Sequence, residues 1–347
     1  MDSTIVLFLV QDAVINGAIY ALVAVALLLV FAVTRVILVP QGEFVAFAAL
    51  TLAALHAGKA PQTSSLLVAL GVLAFLSIAW RQRKNLDPRA LGGAALANIA
   101  LPIALALLAR WLAPMKLGLT VEILLTLALV VPMGPMIYRL AFEPLAEASV
   151  LVLLIASFGV HFSLTGLGLA FFGPEGVSAP ALIEKSFQIG DMTVTGQSLA
   201  VLIATFALLV ALGWFFRATL FGKALRACAS NRLGARLVGV STSMAGRIAF
   251  GVAALIGAVS GVLVGAISTI YYDSGFLIGL KGFVAAIIAG LSSYAGAGAA
   301  ALAVGLVESF SSFWASAYKE VFVFAAILPV LVWRSLTAGH VDEEEEE

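Results

Sequence analysis

The sequence predicts an all-α protein that crosses a membrane about ten times. Of its 347 residues, 62% are hydrophobic and only 11% are charged, whereas a soluble domain carries about 25% charged residues. Apolar runs of roughly 20 residues recur along the chain, and each is long enough to cross a hydrocarbon core about 30 Å thick. Composition and run length together exclude an ordinary soluble domain.

The predicted spans follow one another with short loops between them. They lie at 13–33, 43–57, 64–80, 92–111, 120–138, 149–172, 197–216, 247–270, 297–316 and 320–334. A further short apolar segment, 276–291, either spans or re-enters. No Lys or Arg precedes Arg35, so the first run lacks the basic region of a signal peptide and is interpreted as a retained span. Pro132 and Pro135 should bend the fifth span. We therefore predict one transmembrane domain over 1–341 and a solvated acidic tail at 342–347.

Lys and Arg counts in the loops predict the orientation, because loops rich in these residues stay inside. The basic loop 217–247 holds six of them and no acid, and the loop 81–91 is also basic. The loop 139–148 begins at Arg139 and falls on the same side as these two when the spans are counted. The alternate loop 173–196 has one base, Lys185, against three acids. The loops 81–91, 139–148 and 217–247 are therefore placed inside and the N-terminus outside, while the side of the C-terminus stays open.

Glycines predict close helix packing and a pair of broken helices. The chain has 32 glycines, many of them inside spans, where small residues let backbones approach closely. Two short segments interrupted by glycine, 36–46 and 275–296, fit the broken-helix pattern that marks binding sites near the middle of a membrane.

Motifs of enzymes and metal sites are missing from the sequence. Its three histidines, His56, His161 and His340, lack metal-ligand spacing, and neither a metalloprotease motif nor a phosphate-binding P-loop occurs. His161 stands alone in a span and is interpreted as a helix-packing or interfacial residue, with a catalytic residue as the alternative. The basic residues are dispersed along membrane edges, which argues against nucleic-acid binding. We predict no enzyme activity, no cofactor and no metal in this chain.

Polar residues inside spans are the candidates for a translocation pathway, because their burial is costly. We select Asn16, Gly42, Glu43 and Glu308. Glu43 follows a predicted break at Pro40 and Gly42, and a carboxylate stabilised by a helix dipole is an alternative interpretation for it. For Glu308 the alternative is a helix–helix hydrogen bond or a protonated carboxyl group.

The basic loop is predicted to form two short helices at 219–231 and 233–238, broken by Gly234 and ended near Gly239. The two helices carry more apolar surface than a simple linker between spans requires. The apolar residues are Leu220, Phe221, Leu225, Leu233, Leu237 and Val238. They favour docking of a partner protein. A positive anchor on anionic membrane lipid is the other interpretation, and both stay open.

Four stretches, in order, resemble permeases of the branched-chain amino-acid ABC importer family. They are V-I-N-G-A-I-Y-A-L at 14–22 with G-E-F at 42–44, Y-R-L-A-F-E-P-L at 138–145, L-F-G-K-A-L-R-A at 220–227, and G-L-K-G-F-V-A-A-I-I-A-G-L at 279–291 leading to G-L-V-E-S at 305–309. The similarity covers most of 13–45 and 138–312.

The resemblance implies an inner-membrane permease that translocates branched-chain amino acids or related small polar solutes. It implies two cytoplasmic ATPase subunits that bind the ATP, a second permease subunit, and a substrate-binding protein on the outer face. The basic loop would be the coupling loop, with Gly222, Arg226, Ala235 and Gly239 transmitting the ATPase motion.

The sequence departs from the family pattern at three places. Leu233 stands where the family has an acid before the loop glycine, and Gln41 stands where it has a histidine. An additional pair of spans, 64–111, precedes Tyr138.

Two other functions are kept as alternatives to the permease. One is an ion- or proton-coupled secondary transporter that binds its cation at Glu43 or Glu308. The other is a membrane scaffold or sensor without transport.

Overall fold

The computed structural model describes residues 3–81, 83, 88–116, 118–189 and 192–337 and is almost entirely helical. The α-helices are α1 (Ser3–Thr34), α2 (Gln41–His56), α3 (Thr63–Arg81), α4 (Pro88–Ala95), α5 (Leu101–Leu112), α6 (Leu119–Val130), α7 (Met133–Ile137), α8 (Val150–Phe172), α9 (Gly196–Ala218), α10 (Leu220–Ser230), α11 (Arg232–Leu237), α12 (Thr242–Val264), α13 (Ser274–Ile288), α14 (Tyr294–Trp314), α15 (Lys319–Ala325) and α16 (Ile327–Thr337). Turns of π-helix occupy Leu96–Ala100 and Tyr138–Phe142. A small antiparallel hairpin pairs β1 (Ser186–Ile189) with β2 (Met192–Thr195). The predicted all-α membrane fold is confirmed. The acidic tail 342–347, His340, and residues 82 and 84–87 of the basic loop 81–91 lie outside the described residues.

Nine stretches of the described chain are long and apolar enough to cross a membrane. The predicted second span is the 16-residue α2, and the predicted short segment is the 15-residue α13. At 1.5 Å per residue these two helices are only about 22–24 Å long, less than the thickness of the hydrocarbon core. Each therefore reaches through only part of the bilayer.

One predicted helix start and one predicted bend can be compared with the backbone. The predicted span 247–270 was placed several residues too late, because α12 begins inside the basic loop. The Ser241 hydroxyl accepts a hydrogen bond from the Met244 amide at 3.3 Å and caps the helix there. The bend predicted at Pro132 is confirmed, since α6 ends at Val130 and a turn separates it from α7.

Each short helix packs on a long one through a glycine. On α12, a Cβ at Gly261 would lie 2.1 Å from the Val45 carbonyl oxygen of α2. On α13, a Cβ at Gly282 would lie 2.5 Å from a methyl group of Val23 in α1. The core thus contains two similar pairs, α1 with α13 and α12 with α2, in agreement with the close packing predicted from the glycines.

The predicted additional pair folds as a helical hairpin beside this core. Its two arms, α3 and the run from α4 to α5, approach most closely where a Cβ at Gly71 would lie 2.1 Å from the Asn98 carbonyl oxygen. Asn98 is buried in the π-helical turn and accepts a hydrogen bond from Arg139 at 3.2 Å. This contact joins the pair to the end of the bent span.

The start of α14 lies beside the basic loop, which fixes the direction of the last two spans. The rings of Phe216, near the end of α9, and Tyr294, the first residue of α14, have centroids 6.3 Å apart. The segment α14 then crosses away from the basic loop, and the candidate span Ser316–Trp333 returns. The end of α16 therefore lies on the same side as the basic loop, a question that loop charge alone leaves open.

Candidate translocation site and coupling surface

The two short helices meet at their N-terminal ends inside the molecule. Gly42 in the first turn of α2 touches Gly275 in the first turn of α13, and a Cβ on Gly42 would lie 1.7 Å from the Gly275 carbonyl oxygen. Gly279 lies against the same turn of α2, where its Cβ would lie 3.2 Å from the Gly42 amide nitrogen. The junction is closed in this structure and excludes any larger residue. The junction joins the two glycine-interrupted segments, 36–46 and 275–296, that the sequence predicts as broken helices.

A buried carboxylate–imidazole pair lies at this junction. Glu43, in the first turn of α2, hydrogen-bonds through Oε1 to Nδ1 of His161 in the middle of α8. Both side chains are almost fully buried, and the imidazole stacks on Phe276 of α13 with a centroid separation of 4.5 Å. His161 does join two helices, but its partner was not predicted, because α8 carries it to the N-terminal end of α2, a contact across 118 positions that no local pattern reveals.

Two buried oxygens in the first turn of α2 lack a hydrogen-bond partner among the described residues, Oε1 of Gln41 and the second carboxylate oxygen of Glu43, Oε2. A buried acceptor without a partner is costly, so an unpaired carboxylate oxygen here is a candidate contact for a ligand. Its position in the first turn of α2 also places it at the positive end of the helix dipole.

Glu308 belongs to a different cluster, on the other side of α13. Tyr20 of α1 donates its hydroxyl to Glu308 Oε2 at 2.5 Å, and Lys281 of α13 contacts Oε1 at 2.5 Å. Lys281 Nζ also lies 3.1 Å from a carboxylate oxygen of Glu320 in α15. Both oxygens of Glu308 are thus occupied by other helices. This is the helix–helix hydrogen-bonding arrangement that the sequence left as one of two interpretations.

Lys281 was not selected from the sequence, although a signal for it exists. A lysine within a short apolar helix needs a counter-ion in a membrane, and Glu308 and Glu320 are the acids in the segments that follow. What the sequence does not reveal is that α13 packs against α14 and α15 at the depth where the three side chains meet.

Asn16 lies outside both groups. Its amide donates to Asp12 at 3.2 Å, one turn earlier in α1, and Asp12 accepts from Ser309 of α14 at 2.8 Å. The four pathway candidates therefore separate. Gly42 and Glu43 form the helix junction, Glu308 forms the lysine cluster, and Asn16 lies in a polar contact between α1 and α14.

The basic loop folds into α10 and α11, but the break between them is one to three residues from the predicted place. Asn231, not Gly234, separates the helices, and its side-chain oxygen accepts the Gly234 amide at 2.8 Å. Gly234 therefore lies inside α11. Gly239 follows the end of α11 with φ +86°, a left-handed conformation that favours glycine.

The predicted coupling residues occupy different environments in this loop. Gly222 is buried where a Cβ would lie 2.2 Å from the Phe215 carbonyl oxygen, so it allows α10 to fold back on the end of α9. Ala235 is buried, whereas Gly239 is exposed at the edge of the loop. Arg226 is exposed and lines a cavity of 230 Å³ whose other walls include Arg217 and Tyr294.

An apolar face of the loop points away from the core. Its side chains are 50–81% exposed, and they are Leu220, Phe221, Leu233, Leu237 and Val238. Arg236 holds the loop against the neighbouring turn through an ion pair with Glu147 at 3.1 Å. Apolar residues exposed on a loop that is itself held in place are typical of a docking surface.

Long apolar helices around a closed polar junction, with a structured basic loop on one side, define a multi-pass membrane transport protein. The comparison with known families agrees. The chain belongs to the family described as "Branched-chain amino acid transport system / permease component", whose model matches residues 9–331.

Curated relatives carry the same description. The chain is 32% identical over 206 residues to the high-affinity branched-chain amino acid transport system permease protein LivH of Escherichia coli K12, a match covering 57% of this chain and 67% of the relative. LivH of Salmonella typhimurium LT2 matches to the same extent. BraD of Pseudomonas aeruginosa is 28% identical over 208 residues, or 58% of this chain and 68% of BraD. No solved structure matches significantly.

Proposed function

We propose that this permease is the membrane-spanning subunit of an ATP-driven importer in a bacterial inner membrane, and that it carries branched-chain amino acids or related small polar solutes. Its partners are cytoplasmic ATPase subunits that bind the ATP, a second permease subunit, and a substrate-binding protein on the outer face. The observation that carries this proposal is the family match across residues 9–331.

The pathway is proposed to open at the junction of α2, α8 and α13. In the closed state, contact of Gly42 with Gly275 seals the chain against passage. Separation of the two helices would expose their N-terminal amides, which attract a carboxylate, together with the unpaired oxygen of Glu43, which accepts from an ammonium group. A zwitterionic amino acid carries both groups.

The motion is proposed to enter through the apolar face of the basic loop. This face offers leucine, valine and phenylalanine side chains to an ATPase, which compensates for the missing acid at Leu233. Because Gly222 packs directly on the end of α9, a push on α10 is transmitted to a membrane-spanning helix without an intervening flexible linker.

Reconstitution tests the proposal. The chain is purified with the products of neighbouring genes and placed in proteoliposomes, and uptake of radiolabelled leucine is measured with ATP on the ATPase side. Uptake should require ATP, the ATPase and the binding protein. Uptake driven by an ion gradient with this chain alone would support the secondary transporter instead, and partner binding without flux would support the scaffold or sensor.

A loop variant tests the docking surface separately. Leu237→Asp should weaken co-purification of the ATPase, because it places a charge in the apolar face. Ser230→Asp adds the same charge at an exposed position of α10, outside the apolar face, and serves as the control. Equal loss in both variants would show a general charge effect, and no loss in either would remove the apolar face from the docking model.

A further inference from the structure

A cavity of 340 Å³ lies between the predicted additional helix pair and the core, near the helix ends on the basic-loop side. Three guanidinium groups line it: Arg81 at the end of α3, Arg139 at the end of the bent span, and Arg247 in the first turns of α12. One acid, Glu143, also lines the cavity, and it accepts a hydrogen bond from the Ser243 hydroxyl. The lining therefore carries an excess of positive charge.

None of the three arginines forms a salt bridge with a carboxylate of the described residues, and Glu143 interacts with Arg139 only over a longer distance. Arg139 donates to Asn98 at 3.2 Å, and Arg247 donates to the Ser243 carbonyl of its own helix at 3.3 Å. Neither forms an ion pair with a described carboxylate, and the same holds for Arg81. Like charges around one cavity repel one another unless an anion lies between them. Guanidinium groups bind phosphate oxygens with two parallel hydrogen bonds, so a phosphate group fits this lining.

An apolar groove along the membrane-spanning helices adjoins the cavity. Arg139 and Arg247 line both spaces, and the second space is an open groove of 550 Å³ between the bent span and α12. Apart from these two arginines its walls are apolar residues and a glycine, among them Val131, Pro135, Ile248 and Gly251. A free phosphate would leave this groove empty, whereas an acyl chain would fill it.

The depth of the cavity agrees with the level of lipid headgroups. Trp80, next to Arg81, is 69% exposed, and the Arg83 guanidinium stacks over its ring at 4.3 Å. Exposed tryptophan is enriched at the interface between membrane and water. Basic pockets between helices on the cytoplasmic side are sites where anionic headgroups bind.

We propose that this cavity and groove bind one anionic phospholipid of the inner leaflet, with its phosphate between Arg81, Arg139 and Arg247 and an acyl chain along α12. The predicted additional helix pair supplies the wall that carries Arg81. The lipid bridges that pair to the core, at the same end of the bent span where Arg139 contacts Asn98.

Native mass spectrometry of the full-length chain tests the proposal, with phosphatidylglycerol and phosphatidylcholine as probes. The chain should retain phosphatidylglycerol in preference to phosphatidylcholine. Neutralising the arginines as Arg81→Gln, Arg139→Gln and Arg247→Gln should lower that retention about fivefold for each residue changed. Arg139→Lys should retain more lipid than Arg139→Gln. Arg83→Gln, at the same level but outside the cavity lining, is the matched control and should bind normally.

A groove variant keeps the test valid if an arginine variant fails to fold. Gly251→Leu fills the groove without touching the charges, because a Cβ there meets only Pro135, at 3.4 Å. It should lower phosphatidylglycerol retention and leave the arginines intact. Equal retention in wild type, Arg139→Gln and Gly251→Leu would overturn the proposal. So would full competition by glycerol 1-phosphate, which indicates a free phosphate site, or loss of the lipid when a second permease binds, which indicates a protein interface.

Discussion

At the scale of single residues, two buried carboxylates of this permease are held in opposite ways. Glu43 has one oxygen bonded to His161 and the other without a partner among the described residues. Glu308 has both oxygens engaged, by Tyr20 and Lys281. The first arrangement leaves bonding capacity for a ligand, whereas the second uses it to join helices.

The Glu43–His161 pair can be tested by removing one partner and then both. His161→Phe should destabilise the protein by about 3 kcal/mol, because it leaves a buried carboxylate without its partner. Glu43→Leu combined with His161→Phe should recover most of that stability and still lack uptake. Thermal unfolding in detergent and leucine uptake in proteoliposomes measure the two effects. Normal uptake by the double variant would remove Glu43 from the pathway.

Lys281 should act through stability and not through the pathway. Lys281→Met leaves Glu308 and Glu320 without their shared cation, and we expect a loss of about 3 kcal/mol in the free energy of unfolding. The folded fraction should still transport at the wild-type rate per molecule. Lys319→Met, a partly exposed lysine close by in α15, is the control for loss of a positive charge. A Lys281→Met protein that is stable but inactive would contradict this assignment.

At the scale of helices, contact between backbones decides what the short elements can do. The N-terminal turns of α2 and α13 touch at glycines, and Gly239, two residues after the end of α11, has φ +86°. The first position forbids a side chain by space. At the second position there is room for a side chain, because a Cβ there would meet no atom within 4 Å. What disfavours most residues at Gly239 is the left-handed backbone conformation.

Gly42→Ala should disrupt the helix junction, because its Cβ would overlap the Gly275 carbonyl oxygen at 1.7 Å. We expect a lower unfolding temperature and loss of uptake. Gly298→Ala in α14 is the matched control, since a Cβ there meets nothing within 4 Å and alanine favours helix by about 1 kcal/mol. If both variants behave like wild type, the junction is not closed in the way described.

Variants of Gly239 test whether this turn is needed for coupling to the ATPase or only for folding. Gly239→Val requires a β-branched residue at positive φ, and it should reduce ATP-driven uptake while the unfolding temperature stays within a few degrees of wild type. Gly239→Asn should retain most uptake, because asparagine tolerates this conformation. Proteoliposome uptake and thermal unfolding measure both. Full activity of Gly239→Val would count against a coupling role for this turn.

At the scale of the whole molecule, the basic loop and the end of α16 lie on one side. On the other side, the segment that follows α8 is hydrogen-bonded to the segment that follows α12. Val177, after α8, and Ile270, after α12, exchange two backbone hydrogen bonds of 3.0 and 2.8 Å. The predicted orientation then places the basic loop and α16 in the cytoplasm.

Cysteine labelling tests this orientation in intact cells. The native Cys228 is buried, and burial raises the pKa of its thiol despite the nearby Arg232 and Arg236, so little reactive thiolate is present at neutral pH. In a Cys228→Ala background, Leu237→Cys and Leu336→Cys should both resist a membrane-impermeant maleimide until the cells are opened. Ile183→Cys, in the outer loop, should react at once. Reaction of Leu336→Cys in intact cells would reverse the direction of the last span.

Much of the fold could be predicted because hydrophobic length is a local property. The spans, the bend at Pro132 and the helical basic loop follow from runs and breaks in the chain. The candidate site could be predicted only in part. Gly42 and Glu43 were selected because a break precedes a polar residue, but His161 and Lys281 were not, since each finds its partner on another helix.

The sequence by itself determined that this protein is a helical membrane permease and where two short helices interrupt the spans, and it predicts which way the basic loops face. These properties depend on composition and short-range pattern, because the thickness of the bilayer sets the length of an apolar span and the distribution of Lys and Arg sets its orientation. Only the tertiary structure decided that the short helices meet at Gly42 and Gly275, that Glu43 pairs with His161, and that three arginines from separate helices surround one cavity. Such contacts join residues far apart in the chain. They depend on which helices pack against one another, and this cannot be predicted from the sequence of any single segment.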